Sequence, residues 1–349
     1  MKKLEVGILG ATGMVGQRFV SLLEHHPWFE VRWLAASERS AGKNYAEACS
    51  WRLREALPKA MRDLPVHECK PGHAPQLVFS SLDSKVAGEV EKEFAQAGHV
   101  VVSNSSNHRM DPDVPLLIPE VNADHLALVR GQRKERGWKG MIVTNPNCTT
   151  VGLAMSLAPL EHAFGLEKVL MTSMQAVSGA GYPGLPTLDI LGNVIPYIGG
   201  EEEKVERETR KLLGKLTDGR VHPGEFAVSA HCNRVPVEDG HTESISVSLK
   251  SQPSLADLIE AWAKFRALPQ ERDLPSAPKH PIIVREERDR PQPKFDVNVE
   301  HGMATVIGRV RQCPVLHFKY TALSHNTIRG AAGAALLNAE LMKSEGYLD

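Results

Sequence analysis

The sequence predicts an α/β fold in two parts: a parallel sheet with crossover helices, then an α+β domain with a mainly antiparallel sheet. Three observations predict it. Short apolar runs alternate with helix-patterned stretches up to Thr144, as in a parallel sheet. A glycine-rich turn joins the first run to the first helical stretch. Beyond Cys148 the pattern changes to long β-type runs with little helix between them.

Each element follows from its own residues. Leu4–Leu9 is β-rich and ends in glycine, and residues 15–25 then place Val15, Phe19, Val20, Leu22 and Leu23 at helical spacing. Further strands are expected over 31–36, Leu77–Ser80, 99–103 and Met141–Thr144. Residues 40–75, rich in Pro, Lys and Glu, read as a covering excursion. A helix is expected over 149–160, sheet over 168–177, 225–249 and 303–323, an exposed loop over 275–293, and a final helix over 326–342. The expected domains are 1–147, 148–325, and a C-terminal helix, 326–349, returning to the first domain.

Composition narrows the function. Of the residues, 42% are hydrophobic and 24% charged, enough for a sizeable core and unlike a disordered tail. Lys+Arg total 41 against 42 Asp+Glu, which argues against nucleic acid or an anionic membrane as a partner. No apolar run reaches the roughly 18–20 residues of a spanning helix. The chain enters a strand almost at once, without a signal-peptide core. Its five cysteines are scattered without CxxC spacing. The expectation is reduced thiols, a cytoplasmic location and no metal site.

The loop Gly7-Ile-Leu-Gly10-Ala-Thr-Gly13-Met-Val-Gly16 follows the first strand and opens the first helix. Glycines there allow a tight turn and let backbone N–H groups approach a pyrophosphate at the positive end of the helix. This is a Rossmann-type dinucleotide site, although the spacing Gly10-x-x-Gly13-x-x-Gly16 departs from G-x-G-x-x-G. The end of the second strand chooses the cofactor. Ser37, Arg39 and Ser40 suit a 2′-phosphate through charge-assisted bonds, which favours NADP, while Glu38 is the dissenting residue.

Cys148, in Asn145-Pro-Asn-Cys148-Thr-Thr150, ends a strand and starts a helix. The helix dipole there stabilises a thiolate, so the thiol pKa is expected to fall and the residue to act as nucleophile. A nucleophilic cysteine needs a base. His241 lies beyond Arg234, with Pro236 and Gly240 between them, as suits a turn aiming both side chains into one cleft. By spacing alone a surface histidine in a hairpin is the commoner reading.

Together these residues resemble the aspartate-semialdehyde dehydrogenase family, in its archaeal and fungal form. The segments that carry the resemblance are Gly-Ala-Thr-Gly-Met-Val-Gly (10–16), Ser-Glu-Arg-Ser-Ala-Gly-Lys (37–43) and Ser-Asn-Ser-Ser-Asn-His-Arg-Met (103–110). To these are added Asn-Pro-Asn-Cys (145–148), Gln-Ala-Val-Ser-Gly-Ala-Gly (175–181), Glu-Glu-Glu-Lys (201–204) and Arg-Val-Pro-Val-Glu-Asp-Gly-His (234–241). Their order across two domains is specific where no single motif is.

The resemblance implies reversible conversion of L-aspartate 4-semialdehyde, phosphate and NADP to 4-phospho-L-aspartate and NADPH, through a cysteine acyl-thioester. It implies Cys148 as nucleophile and His241 as general base. Gln175, Arg234 and Glu201 would hold the substrate, and Arg109, Asn147 and Lys204 inorganic phosphate. Gly10, Thr12, Gly13, Met14, Val15, Ser178, Gly179 and Asn326 would touch NADP. A homodimer or homotetramer through the second domain's sheet is implied as well. Two other readings stand beside this one: an acyl-CoA reductase of the malonyl-CoA type, lacking the phosphate and the amino group, and a non-catalytic NADP sensor. N-acetylglutamyl-phosphate reductase, a further relative, fits less well because of the 201–204 and 234–241 segments.

Overall fold

Short runs rich in Val, Ile, Leu and Ala have no polar face to turn to water, so they pair and are covered on both sides. In the computed structural model, which describes residues 2–348, six such strands form the first sheet. They are β1 (Leu4–Leu9), β2 (Phe29–Ala36), β3 (Val66–Glu68), β4 (Leu77–Ser80), β5 (Val100–Ser103) and β6 (Met141–Thr144). The order is β3-β2-β1-β4-β5-β6 and every pairing is parallel. The sheet reverses direction of build between β1 and β4, and the glycine loop leaves β1 at that switch point, where open α/β sheets bind ligands. β3 lies inside the 40–75 excursion, where the sequence predicts no strand. At three residues with only Val66 buried, it carries too little apolar pattern to be read.

The second sheet contains β7 (Leu166–Gln175), β10 (Ala227–Arg234), β11 (His241–Leu249), β12 (Ile282–Val284), β13 (Thr305–Gln312) and β14 (Phe318–Ser324). A small hairpin, β8 (Lys215–Thr217) and β9 (Arg220–His222), stands apart. The sheet order is β10-β7-β11-β14-β13-β12. The three central pairings are antiparallel, but the outer two, β10–β7 and β13–β12, are parallel, so the sheet is mixed. β12 falls within the expected 275–293 loop. β10 and β11 do not form the hairpin that their proximity in sequence suggests. β7 lies between them, and residues 235–240 cross its C-terminal end.

One face of the first sheet packs Val6, Ile8 and Phe79 against Phe19 and Leu23 of the Met14–Leu23 helix and Leu336 and Leu341 of the Gly333–Ser344 helix. The second core sets Leu153 and Leu157 of the Cys148–Phe164 helix against Val169, Ile245 and Tyr320. That helix runs past the expected 149–160, and Pro159 does not end it, because it is buried along its first three turns and held by packing on both sides. The final helix begins with a π-helical turn, Ile328–Ala332. Among the described residues no helix is long and apolar enough to cross a membrane.

Candidate active site

The start of the Cys148–Phe164 helix is set by Asn147. Its Oδ1 accepts from the backbone N–H groups of Thr149 (2.9 Å) and Thr150 (3.2 Å), satisfying two donors that the first turn leaves open. Its Nδ2 donates to Glu201 Oε1 (2.9 Å). Cys148 follows, half-buried, at the positive end of the helix.

Burial nevertheless overrides the dipole. Removal from water pushes the Cys148 thiol up to about 12, and the Glu201 carboxylate adds to the rise against the pull of Arg109 and Arg234. The depressed thiol pKa expected from the helix start is therefore corrected: a dipole contributes a fraction of what a desolvated thiolate costs.

His241 Nε2 lies 3.2 Å from Cys148 Sγ. The partner of the other ring nitrogen assigns the tautomer: Nδ1 accepts from the Ala176 backbone N–H (3.1 Å), so the neutral ring carries its proton on Nε2, facing sulfur. Burial, with Arg234 and His325 nearby, pushes His241 down to about 3, which keeps the ring neutral at ordinary pH. In this geometry His241 is a donor to the sulfur. In this tautomer the general-base role expected of His241 requires the ring to pass on its Nε2 proton as it takes one from sulfur.

Strand order explains how distant residues meet. β10 and β7 run parallel with Arg234 beside Gln175, and β11 starts at His241 on the other side of β7. Arg234, Gln175 and His241 thus come from the ends of three neighbouring strands. Arg234 Nη1 donates to Ala176 O (2.7 Å) and Gln175 Nε2 to Ser173 Oγ (3.1 Å), and both residues are buried. Gly179 lies against this group: an added Cβ would stand 2.9 Å from Arg234 Nη1 and 3.2 Å from His241 Cε1.

The opposite wall is the Glu201–Leu212 helix. Glu201, buried at its first turn, faces Asn147, and Lys204 Nζ lies 3.8 Å from Glu201 Oε2 while staying partly open to solvent. Arg109, 7% exposed, donates from Nη1 to Glu208 Oε1 (3.0 Å) and from Nη2 to Asn104 O (2.7 Å). Glu208 Oε2 also accepts from the Asn147 backbone N–H (2.6 Å). Sequence reasoning passed over Glu208. The available signal was its place on the buried stripe Glu201, Val205, Glu208, Leu212 of an otherwise charged helix.

The cofactor residues form two groups. Gly10 turns with φ +76°, and a Cβ on it would stand 2.8 Å from Ser81 O. Gly13 starts the Met14–Leu23 helix with no side-chain cap, so Thr12, Met14 and Val15 present open backbone donors of the kind a pyrophosphate takes, while the Gly13 N–H donates to Gly10 O (3.1 Å). Met14 and Ser178 line a cleft of about 1080 Å³ shared by both sheets' loops, together with Arg18, Asn298, His325 and Thr327. Asn326 is not a helix cap: its Nδ2 donates to Ser178 Oγ (2.8 Å) and its Oδ1 accepts from the Gly240 N–H (2.8 Å), tying the cleft wall to the turn before His241. Ser37, Arg39 and Ser40 lie outside that cleft lining, in a turn after β2 closed by the Ser40 N–H donating to Ser37 O (2.8 Å).

A thiol in contact with an imidazole, in a chain whose glycine loop opens a helix at the switch point of a parallel sheet, fits a class, the thiol-dependent aldehyde dehydrogenases, oxidoreductases that work with a nicotinamide nucleotide. Comparison with known proteins narrows it. Residues 5–129 match the family described as semialdehyde dehydrogenase, NAD binding domain, and residues 157–329 match semialdehyde dehydrogenase, dimerisation domain. The aspartate-semialdehyde dehydrogenase of Methanothermobacter thermautotrophicus is 50% identical over 97% of this chain and 99% of its own. That of Saccharomyces cerevisiae is 46% identical over 98% of each. The crystal structure of the Candida albicans enzyme with NADP superposes with a TM-score of 0.92 at 43% identity, over 99% of both chains. The chain belongs to the aspartate-semialdehyde dehydrogenase family.

Proposed function

We propose that this chain interconverts L-aspartate 4-semialdehyde, phosphate and NADP with 4-phospho-L-aspartate and NADPH, serving lysine, threonine and methionine biosynthesis in the cytoplasm. The observation that carries the reading is the 3.2 Å contact between Cys148 Sγ and His241 Nε2, set between an arginine on one wall and a carboxylate on the other. Arg234 pairs with the substrate carboxylate as a planar two-point donor, and Glu201 with its ammonium group. Gln175 orients the chain between them.

The sulfur of Cys148 attacks the aldehyde carbon: a C–S bond forms, the carbonyl π pair moves onto oxygen, and the thiol proton released from sulfur is carried to that oxygen, giving a neutral thiohemiacetal. His241, in contact with the sulfur through Nε2, hydrogen-bonds the oxygen as charge develops there and relays that proton, so the ring is neutral before and after the step. A bound nicotinamide supplies the hydride acceptor that turns thiohemiacetal into thioester. Arg109 and Lys204 then hold phosphate for attack on the thioester, whose C–S bond breaks to return the Cys148 sulfur as the acyl phosphate leaves, and Asn147, occupied as helix cap and Glu201 partner, keeps those groups in place. Thr12 to Val15, with Ser178, Gly179 and Asn326, hold the pyrophosphate and nicotinamide halves of NADP, and Ser37, Arg39 and Ser40 its 2′-phosphate. The chain divides into domains 1–147 and 148–325 with a C-terminal helix, 326–349, returning to the first, and the second sheet pairs protomers into a homodimer, or two dimers into a tetramer.

The test is NADPH formation from aspartate semialdehyde with and without phosphate. Strict dependence on phosphate, or on arsenate in its place, supports the reading. NADPH oxidation with malonyl-CoA, and none with aspartyl phosphate, would sink it.

A further inference from the structure

Glu208 has no part in the chemistry above, yet it touches two parts that do. It is 2% exposed and makes one bond with each carboxylate oxygen: Oε1 accepts from Arg109 Nη1 (3.0 Å) and Oε2 from the Asn147 backbone N–H (2.6 Å). One partner is the guanidinium assigned to phosphate; the other is the residue immediately before the nucleophile. One turn on, Lys211 Nζ donates to the carbonyls of Arg109 (2.7 Å), Asp111 (2.8 Å) and Val114 (3.0 Å). A single helix face therefore grips the Arg109 loop by its side chain through Glu208 and by its backbone through Lys211. Of these two, Glu208 extends that grip to the backbone at the start of the Cys148 helix, where Glu201 holds the Asn147 side chain.

We propose that Glu208 is a positioning residue that sets the anion-binding guanidinium of Arg109 and the Asn147–Cys148 turn in one frame, so that phosphate use and thiol reactivity depend on the same carboxylate. The inference rests on the reading of Arg109 as a phosphate ligand. The two-point geometry is what makes it specific. An amide in place of the carboxylate has one acceptor oxygen for two donors, so either the Arg109 N–H or the Asn147 N–H must then face an NH2 group, donor against donor. A carboxylate shortened by one methylene keeps the charge but does not span both partners.

Glu208→Gln is expected to raise KM for phosphate roughly 10- to 100-fold, the size of one lost charge-assisted hydrogen bond. It is also expected to change the rate at which iodoacetamide alkylates Cys148, and to leave KM for NADP unchanged. Glu208→Asp should move both readouts in the same direction, and carries the test if the glutamine variant fails to fold. A lower melting temperature with wild-type phosphate KM and wild-type alkylation, in either variant, would show a merely structural residue and overturn the proposal. A wild-type enzyme indifferent to phosphate would instead overturn the reading of Arg109 on which the proposal stands, and is measured first in the same assay.

Discussion

Replacing Gly330 by alanine tests how tightly the fold holds its nucleophile. Gly330 sits in the π-helical turn Ile328–Ala332, and a methyl group there would stand 2.8 Å from Cys148 Cβ, 3.0 Å from its Cα and 3.1 Å from its carbonyl oxygen. Carbon atoms rest about 3.5–4.0 Å apart, so the two backbones must separate by roughly 0.7–1.2 Å. The turn is not free to yield. Arg329, beside Gly330, makes a fully buried two-point ion pair with Glu120 (2.9 and 2.8 Å), and Ala331 O accepts from Asn145 Nδ2 (2.9 Å). The displacement therefore falls on Cys148. A reacting group misplaced by about 1 Å loses on the order of 10²-fold in rate, and overpacking of this kind costs about 1–3 kcal/mol of stability. The measurements are kcat for NADPH formation, the melting temperature, and NADP affinity by fluorescence titration. Gly330→Ala should lose about two orders of magnitude in kcat with NADP affinity intact. Wild-type kcat with a lowered melting temperature would mean that the methyl group is absorbed elsewhere and the argument fails.

Three further outcomes follow from the site. Because His241 is held down to about 3, the fold favours the neutral ring: its contribution to stability is complete above the unfolded value of 6.5 and is lost as pH falls from there toward 3. His241→Gln, whose amide retains an N–H donor, should keep about tenfold more activity than His241→Ala, itself reduced about 10²–10⁴-fold, and equal losses in the two variants would refute the donor role. Arg39→Ala should raise KM for NADP and leave that for NAD unchanged; equal effects on both would place the 2′-phosphate elsewhere.

The parallel sheet was legible because buried strands and crossover helices write their periods directly into the sequence, and the glycine loop marks the strand-to-helix turn. β3 and β12, three residues each at the sheet edges, are too short to write any period. The mixed character of the second sheet was hidden for another reason. Pairing between β10 and β7 depends on which strand inserts between two sequence neighbours, and no local pattern encodes that. In the site, Cys148 and His241 were visible through their settings, whereas the protonation of both is governed by burial from Arg234, Glu201 and the packed helix, which single-residue context does not reveal. Glu208 escaped because a carboxylate in a run of charges looks solvated until its partners, 61 and 99 residues away, are seen.

The placement of Arg234, Gln175 and His241 at the ends of three adjacent strands makes that wall a comb whose teeth sit at the interstrand spacing, about 4.8 Å. Its pitch is set by backbone ladders, so no side-chain repacking nearby can widen or narrow it without breaking a row of hydrogen bonds. The facing helix obeys no such rule. It is docked by side chains, through Glu201, Glu208 and Lys211 and, onto the β10 backbone, through Glu202 and Glu206, so substitutions can reset its charged stripe where they cannot reset the comb. On the proposed reading one wall acts as a ruler for the carboxylate end and the reacting carbon, and the other as its cursor, selecting what the remainder of the substrate carries. Divergence in substrate preference on this scaffold should concentrate in that helix and leave the strand ends alone.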